Sequence, residues 1–265
     1  MGDRRGKKRL VAVVLAATLV FALVAEMAGA ELTERGDLFI RFKGGISPTA
    51  LPRRELAPIA IDVSGTVKTL SGERPPALRS IKIELNRGGV LDSRGLPKCH
   101  YNDLIATYPS QAMEHCGDAL VGEGIYQANT AFPEQATFPS QGHILAFNGI
   151  YGGQEAILAH VYGTEPVPIT RILVFHIHRK SGTFGTVLAA RLPESVNHYG
   201  YVIQVALKLF RRYSFHGQQR SYASATCAAP AGFSAASFSF ARTSMTFDGG
   251  RRLSSTLTRS CRVRG

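Results

Sequence analysis

The stretch Ile203-Gln204-Val205-Ala206-Leu207-Lys208-Leu209 decides the fold class. Ile203, Val205, Leu207 and Leu209 alternate with Gln204 and Lys208, and Arg212 continues the polar side. A period of two is the pattern of a strand with one face buried and the other wet. The same alternation runs through Leu38, Ile40, Phe42; Ile59, Ile61, Val63; Ile81, Ile83, Leu85; and Ile157, Ala159, Val161. Turn residues punctuate these runs at Ser71 to Pro76, Arg87-Gly88-Gly89 and Tyr151-Gly152-Gly153. Asp248-Gly249-Gly250 predicts a hairpin joining a Met245, Phe247 strand to a Leu253, Leu257, Cys261 strand.

Many strands and no long segment of helical period predict an all-β protein, an antiparallel β-sandwich or jelly roll. Short helical turns are expected between Cys99 and Cys116, over Asn102 to Tyr108 and Ser110 to His115, broken at Pro109. The small-residue stretch from Ala223 to Ser239 reads as tight sheet packing or a loop, not as a linker.

The amino-terminal residues read as an export signal. Arg4, Arg5, Lys7, Lys8 and Arg9 precede an uncharged run from Leu10 to Ala25, and Ala28-Gly29-Ala30 supplies a small-x-small cleavage motif. The run is shorter than the roughly 20 residues that cross a bilayer as a helix, and Glu26 interrupts its end. Cleavage near Ala30 is therefore expected, with no retained transmembrane helix; an uncleaved anchor is the alternative. The position of Lys7 after the Arg4-Arg5 pair favours the general export route over the twin-arginine one. The expected organisation is a signal peptide over residues 1–30 and a single β-sandwich domain over 31–265, secreted or extracytoplasmic.

Four cysteines in an oxidising compartment predict disulfides, and their spacing favours Cys99 with Cys116 and Cys227 with Cys261 among three connectivities. Zinc is the competing reading, though no Cys-x-x-Cys occurs.

The chain carries 31 basic against 19 acidic residues. Removing the five basic and two acidic residues of the signal leaves 26 against 17, a net charge of +9. The excess gathers at the end of the chain, where Arg251, Arg252, Arg259, Arg262 and Arg264 are candidate contacts for an anionic partner. Phosphate-bearing envelope polymers or acidic glycans fit an exported protein. Nucleic acid does not, since aromatic residues are not interleaved with the charge. The alternative is a soluble edge strand protected by arginine.

Gly95-Leu96-Pro97-Lys98-Cys99, then Cys116 and Ala119-Leu120-Val121-Gly122-Glu123-Gly124, resembles a segment shared by exported proteins without assigned role from high-GC Gram-positive bacteria. The resemblance continues through His143 to Gly149 and toward Tyr222 to Cys227. It implies an exported β protein and supplies no catalytic or ligand residues.

The sharpest local chemical signal is Phe175-His176-Ile177-His178. In a strand both imidazoles face one way, about 7 Å apart, where they can share a divalent metal. The residues that follow match neither a cupin nor a copper-zinc dismutase pattern, and Arg179 and Lys180 oppose a metal cation. The plain alternative places Phe175 and Ile177 in the core and the two histidines on a polar face. His143 or His160 is the candidate third ligand if a metal binds.

Enzymatic signatures are sparse. There is no Gly-x-Ser-x-Gly elbow, Walker motif or His-Glu-x-x-His. Glu114, Asp118 and Glu123 could supply paired carboxylates, as any β protein can. A polar aromatic loop around Asn197, His198, Tyr199 and Tyr201, with Tyr213 to His216, is a candidate glycan site or a set of ordinary strand-end residues. The sequence reads as a non-catalytic exported structural or binding module without a cofactor. A metal-binding protein or metal-dependent enzyme centred on His176 and His178 is the alternative.

Overall fold

The computed structural model describes residues 30–130, 132, 134–193 and 200–264. The export signal lies outside them except for Ala30, and so does the Asn197 to Tyr199 part of the aromatic loop. Among the described residues no helix is long and apolar enough to cross a membrane.

The chain begins with strands β1 (Glu31–Arg35), β2 (Leu38–Ser47), the two-residue β3 (Ala50–Leu51) and β4 (Ala57–Pro58), and β5 (Ala60–Thr69). Next come β6 (Leu78–Asn86), β7 (Gly89–Leu91) and β8 (Cys99–His100), and then helix α1 (Pro109–Cys116). The meander β9 (Leu120–Thr130), β10 (Phe138–Tyr151), β11 (Gln154–Gly163), β12 (Ile169–Arg179) and β13 (Phe184–Arg191) follows. The remainder is β14 (Gly200–Leu209), β15 (Arg212–Phe215), β16 (Gln218–Ser221), β17 (Ala223–Ala225), β18 (Ala235–Phe247) and β19 (Arg252–Val263).

The all-β reading holds. Fourteen strands join one sheet in the order β1-β2-β5-β14-β9-β10-β11-β12-β13-β6-β18-β19-β3, with β8 alongside β10. Only β8 on β10 and β3 on β19 are parallel within it. The sheet curls until its ends meet, so one sheet supplies both layers around the core. Side chains make the closing contacts. Thr33 Oγ1 donates to the Ser254 carbonyl at 3.4 Å, the Arg35 guanidinium to the Arg252 carbonyl at 3.2 Å, and the Thr258 amide to the Glu31 carboxylate at 2.8 Å.

Alternation places most of the core where the sequence expects it; Val205, opposite Gly65 on β5, is the exception and is exposed. Phe42, Ile61, Leu85, Ile157, Leu188, Leu209 and Leu257 are buried inside the curl. Each such side chain contributes about 2 kcal/mol relative to exposure. The small sheet β4-β17-β7 packs into the same core through Ala57, Leu91, Ala223 and Ala225. The Asp248-Gly249-Gly250 turn joins β18 to β19 as predicted, with Met245 opposite Leu253. Its two glycines take φ of 67° and 68°, the left-handed region that glycine enters without a Cβ penalty.

Between Cys99 and Cys116 lie a 3-10 turn, Tyr101–Asp103, and α1. Pro109 starts this helix instead of breaking one: at the first helical position its missing N–H costs nothing and its fixed φ suits the turn. The expected turn over Asn102 to Tyr108 is limited to its first residues. The helix lies on the outside of the sheet, where Leu104, Ala112 and Cys116 pack on Phe147 and Leu158 of β10 and β11. Both predicted disulfides are present, Cys99 to Cys116 and Cys227 to Cys261. The first ties α1 to the β8 edge of the sheet; the second joins the chain after β17 to β19.

Candidate functional site

The outer face of β12, β13, β6, β18 and β19 collects basic side chains. Core residues such as Ile83, Leu188, Ala241 and Leu257 take the inner positions, so register sets the outer rows. One row runs His176, Ala189, Lys82, Ser244, Ser254 across the five strands. The next runs His178, Val187, Glu84, Arg242, Thr256, and a third pairs Arg191, Ser80, Thr246 and Arg252. The face thus presents Lys82, Arg191, Arg242 and Arg252, with Lys180 reaching in from the end of β12. Glu84 is the one acid in these rows.

Glu84 is 1% exposed although it lies on the outside of the sheet. It accepts a hydrogen bond from Arg242 Nε at 2.5 Å and another from Lys180 Nζ, and Lys82 Nζ lies 3.9 Å away. The Arg242 hydrogen bond, reinforced by Lys180 and Lys82 against the opposing effect of burial, holds its carboxyl down to about 2. Arg242 also stacks over the Phe184 ring at 4.7 Å, with Lys180 Nζ 5.9 Å from the same ring. Glu84 and Phe184 therefore fix the positions of two long cationic side chains, whose heads remain part-exposed. Serine and threonine hydroxyls fill the space between the charges. Ser244 and Ser254 Oγ atoms, between the Arg242 and Arg252 rows, are 3.3 Å apart.

No family model, curated protein or solved structure matches this chain.

The carboxy-terminal arginines do not act as one cluster. Arg252 joins the basic face. Arg251 pairs with Asp37 at 3.2 Å, and Arg259 donates to the carbonyls of Gly44 and Thr258 where the sheet closes on itself. The exposed Arg262 and Arg264 flank the β3 edge, their backbone amides donating to Thr49 and Leu51. Sequence proximity grouped these five, whereas strand direction and register separate them. The sequence marks Lys180 only as a cation opposing a metal at His178, and does not mark Lys82 or Arg191. Their signal, polar positions on apolar-alternating strands, exists but does not say which strands are neighbours.

His176 and His178 do share the outer face, with ring centroids 6.2 Å apart and nearly parallel. His176 also meets the edge of Tyr151 at 5.9 Å. Among the described residues no third ligating side chain completes a group with them. The one grouping of potential ligands among the described residues, Cys99, Asp103 and Cys116, has both sulfurs in a disulfide. His160 is fully buried under the Thr107 loop and Nε2 donates to the Thr107 carbonyl at 3.0 Å, with Thr107 Oγ1 at 3.1 Å. Desolvation lowers its basicity. It serves as a packed core histidine. His143 lies on β10 opposite Tyr162 and Ile125, in an open groove with Glu123, Lys208 and Met113 of α1. Glu114 and Asp118 do not line that groove.

Tyr201 accepts a hydrogen bond from Asn129 Nδ2 at 2.9 Å. Tyr213 donates to the Arg94 carbonyl at 2.9 Å. Both hydroxyls are engaged in holding local structure.

Proposed function

We propose that this protein is an exported, non-catalytic binding module of the cell envelope or extracellular space that holds an anionic polymer against its basic sheet face. The observation that carries the reading is the register that brings Lys82, Arg191, Arg242 and Arg252 onto one face with Lys180, where the rows hold a single acid, Glu84, already neutralised by Arg242 and Lys180. Five cations against one carboxylate leave a net charge of about +4, and a partner bearing regularly spaced phosphates or carboxylates would meet it with long-range attraction. Two disulfides agree with an oxidising compartment. Hydroxyls between the cations supply donors to phosphate or sugar oxygens once the polymer is seated.

The test is binding to immobilised polyglycerol phosphate, with uncharged dextran as control, as NaCl is raised. Binding that weakens with salt and falls about three- to tenfold on Arg252→Ala supports the reading. Arg251→Ala, whose guanidinium is paired with Asp37, is expected to change it less than about twofold. Salt-insensitive binding, or equal losses in the two variants, would sink it.

A further inference from the structure

Between the inner face of the main sheet and the small sheet β4-β17-β7 lies a cavity of about 110 Å³ that opens to the surface beside Ala228 and Ser237. Its walls are Ile59, Ile61, Leu85, Leu91, Phe238 and Phe240, with Cys261 of the second disulfide behind them. The residues that leave the space open are Ala225, Ala228 and Ala236, from the small-residue stretch that the sequence reads as tight sheet packing or a loop. Polar lining side chains are few. Asn86 is already engaged, donating to the Ser239 carbonyl at 2.8 Å and accepting from the Gly88 amide at 2.9 Å. Ser224 and Thr226 are half-buried, Ser237 is exposed with its Oγ 3.0 Å from that of Ser260, and among the described residues no charged side chain lines the cavity.

Protein interiors leave few voids larger than a water molecule. A water here would meet mostly hydrocarbon, with only the Ser224, Thr226 and Ser237 hydroxyls as side-chain partners, fewer favourable contacts than the two to four hydrogen bonds of a well-held buried water. The volume is somewhat below the ~150 Å³ of an apolar cavity that takes one benzene, so it suits a chain end of about four or five carbons.

We infer that this cavity binds the end of a linear alkyl chain carried on an uncharged head group, a hydroxyl or an ester. The walls select hydrocarbon, the small volume selects a chain end over a bulky ring system, and the absence of a cation among the described lining residues disfavours a carboxylate. The site is independent of the basic face, and either can fail without the other.

The experiment is methyl NMR of the purified protein, following Ile59 and Ile61 during titration with 1-pentanol and with pentanoate. Saturable shifts of both residues with 1-pentanol are expected, with pentanoate weaker by about tenfold or more. Ala225→Leu, which fills the cavity, should weaken pentanol binding by about tenfold or more while keeping the dispersed methyl spectrum of the fold. If that variant does not fold, Ala228→Phe at the exposed rim is used in its place, with the same loss expected. No saturable shift at Ile59 and Ile61, pentanoate binding as tight as pentanol, or unchanged pentanol affinity in the folded variant would overturn the inference.

Discussion

Arg242 stands directly opposite Glu84 across the β6–β18 pair, and its Nε donates to Glu84 Oε2 at 2.5 Å. The carboxylate is almost completely covered, while the cations around it are not. An acid in this position stabilises the sheet and at the same time subtracts from the charge of the face.

Glu84→Gln should therefore lower stability and raise affinity for a polyanion together. A loss of about 2 kcal/mol at neutral pH is expected, since a buried ionic hydrogen-bond network loses its acceptor. The acid's value falls from an ordinary 4.5 to about 2 in the fold. Its contribution is therefore complete above about 4.5 and disappears as pH drops toward about 2. Urea unfolding at pH 7 and near pH 2 should show the difference between variant and parent shrinking. An equal difference at both pH values would refute the assignment.

His160 makes an opposite kind of demand on pH. It is buried as the neutral Nε2–H tautomer, because the Thr107 carbonyl can only accept, and its pKa lies below the ordinary 6.5. The unfolded chain then binds the proton more readily, so this histidine's contribution is present above about 6.5 and is lost as pH falls below it. In His160→Gln, whose amide can still donate to Thr107, the stability lost between pH 7.5 and pH 5 should be smaller than in the parent. Denaturant midpoints at the two pH values measure it.

Gly124 and Gly65 separate a glycine that is required from one that is not. A Cβ on Gly124 would come within 2.2 Å of the Ala206 carbonyl oxygen and 3.1 Å of Leu207 Cα, all backbone of β14. Nothing lies within 4 Å of a Cβ on Gly65. Gly124→Ala is expected to cost about 3 kcal/mol or to prevent folding, whereas Gly65→Ala should be neutral or stabilise by about 0.5 kcal/mol. Thermal melts of the two variants give the comparison.

The two disulfides close loops of different length. The chain-entropy estimate is about 3 kcal/mol for the 17-residue Cys99–Cys116 separation and about 4 kcal/mol for the 34-residue Cys227–Cys261 separation. Cys99→Ala with Cys116→Ala should loosen α1 on the outer face and leave the main sheet's amides protected. Cys227→Ala with Cys261→Ala should lower protection in β17, β18 and β19, because Cys227 and Cys261 belong to the inner core. Hydrogen exchange distinguishes the patterns.

Local alternation along the chain determined that this protein is built of strands, because side-chain direction in a strand repeats every two residues whatever the neighbours are. Ile203 to Leu209 and Ile81 to Leu85 are strands, Asp248 to Gly250 is a turn, and the cysteines pair as spacing suggested. Tertiary structure alone decided which strands lie side by side. Lys82 and Arg242 share a face with Arg252 because β6, β18 and β19 pair in a register that buries Ile83, Ala241 and Leu257. Arg259, although close in sequence to Arg252, turns to the Gly44 carbonyl where β19 meets β2. The cavity beside Ala225 was equally hidden: small side chains look alike in sequence whether they let backbones approach or leave a space, and only the positions of the surrounding strands settle which occurs.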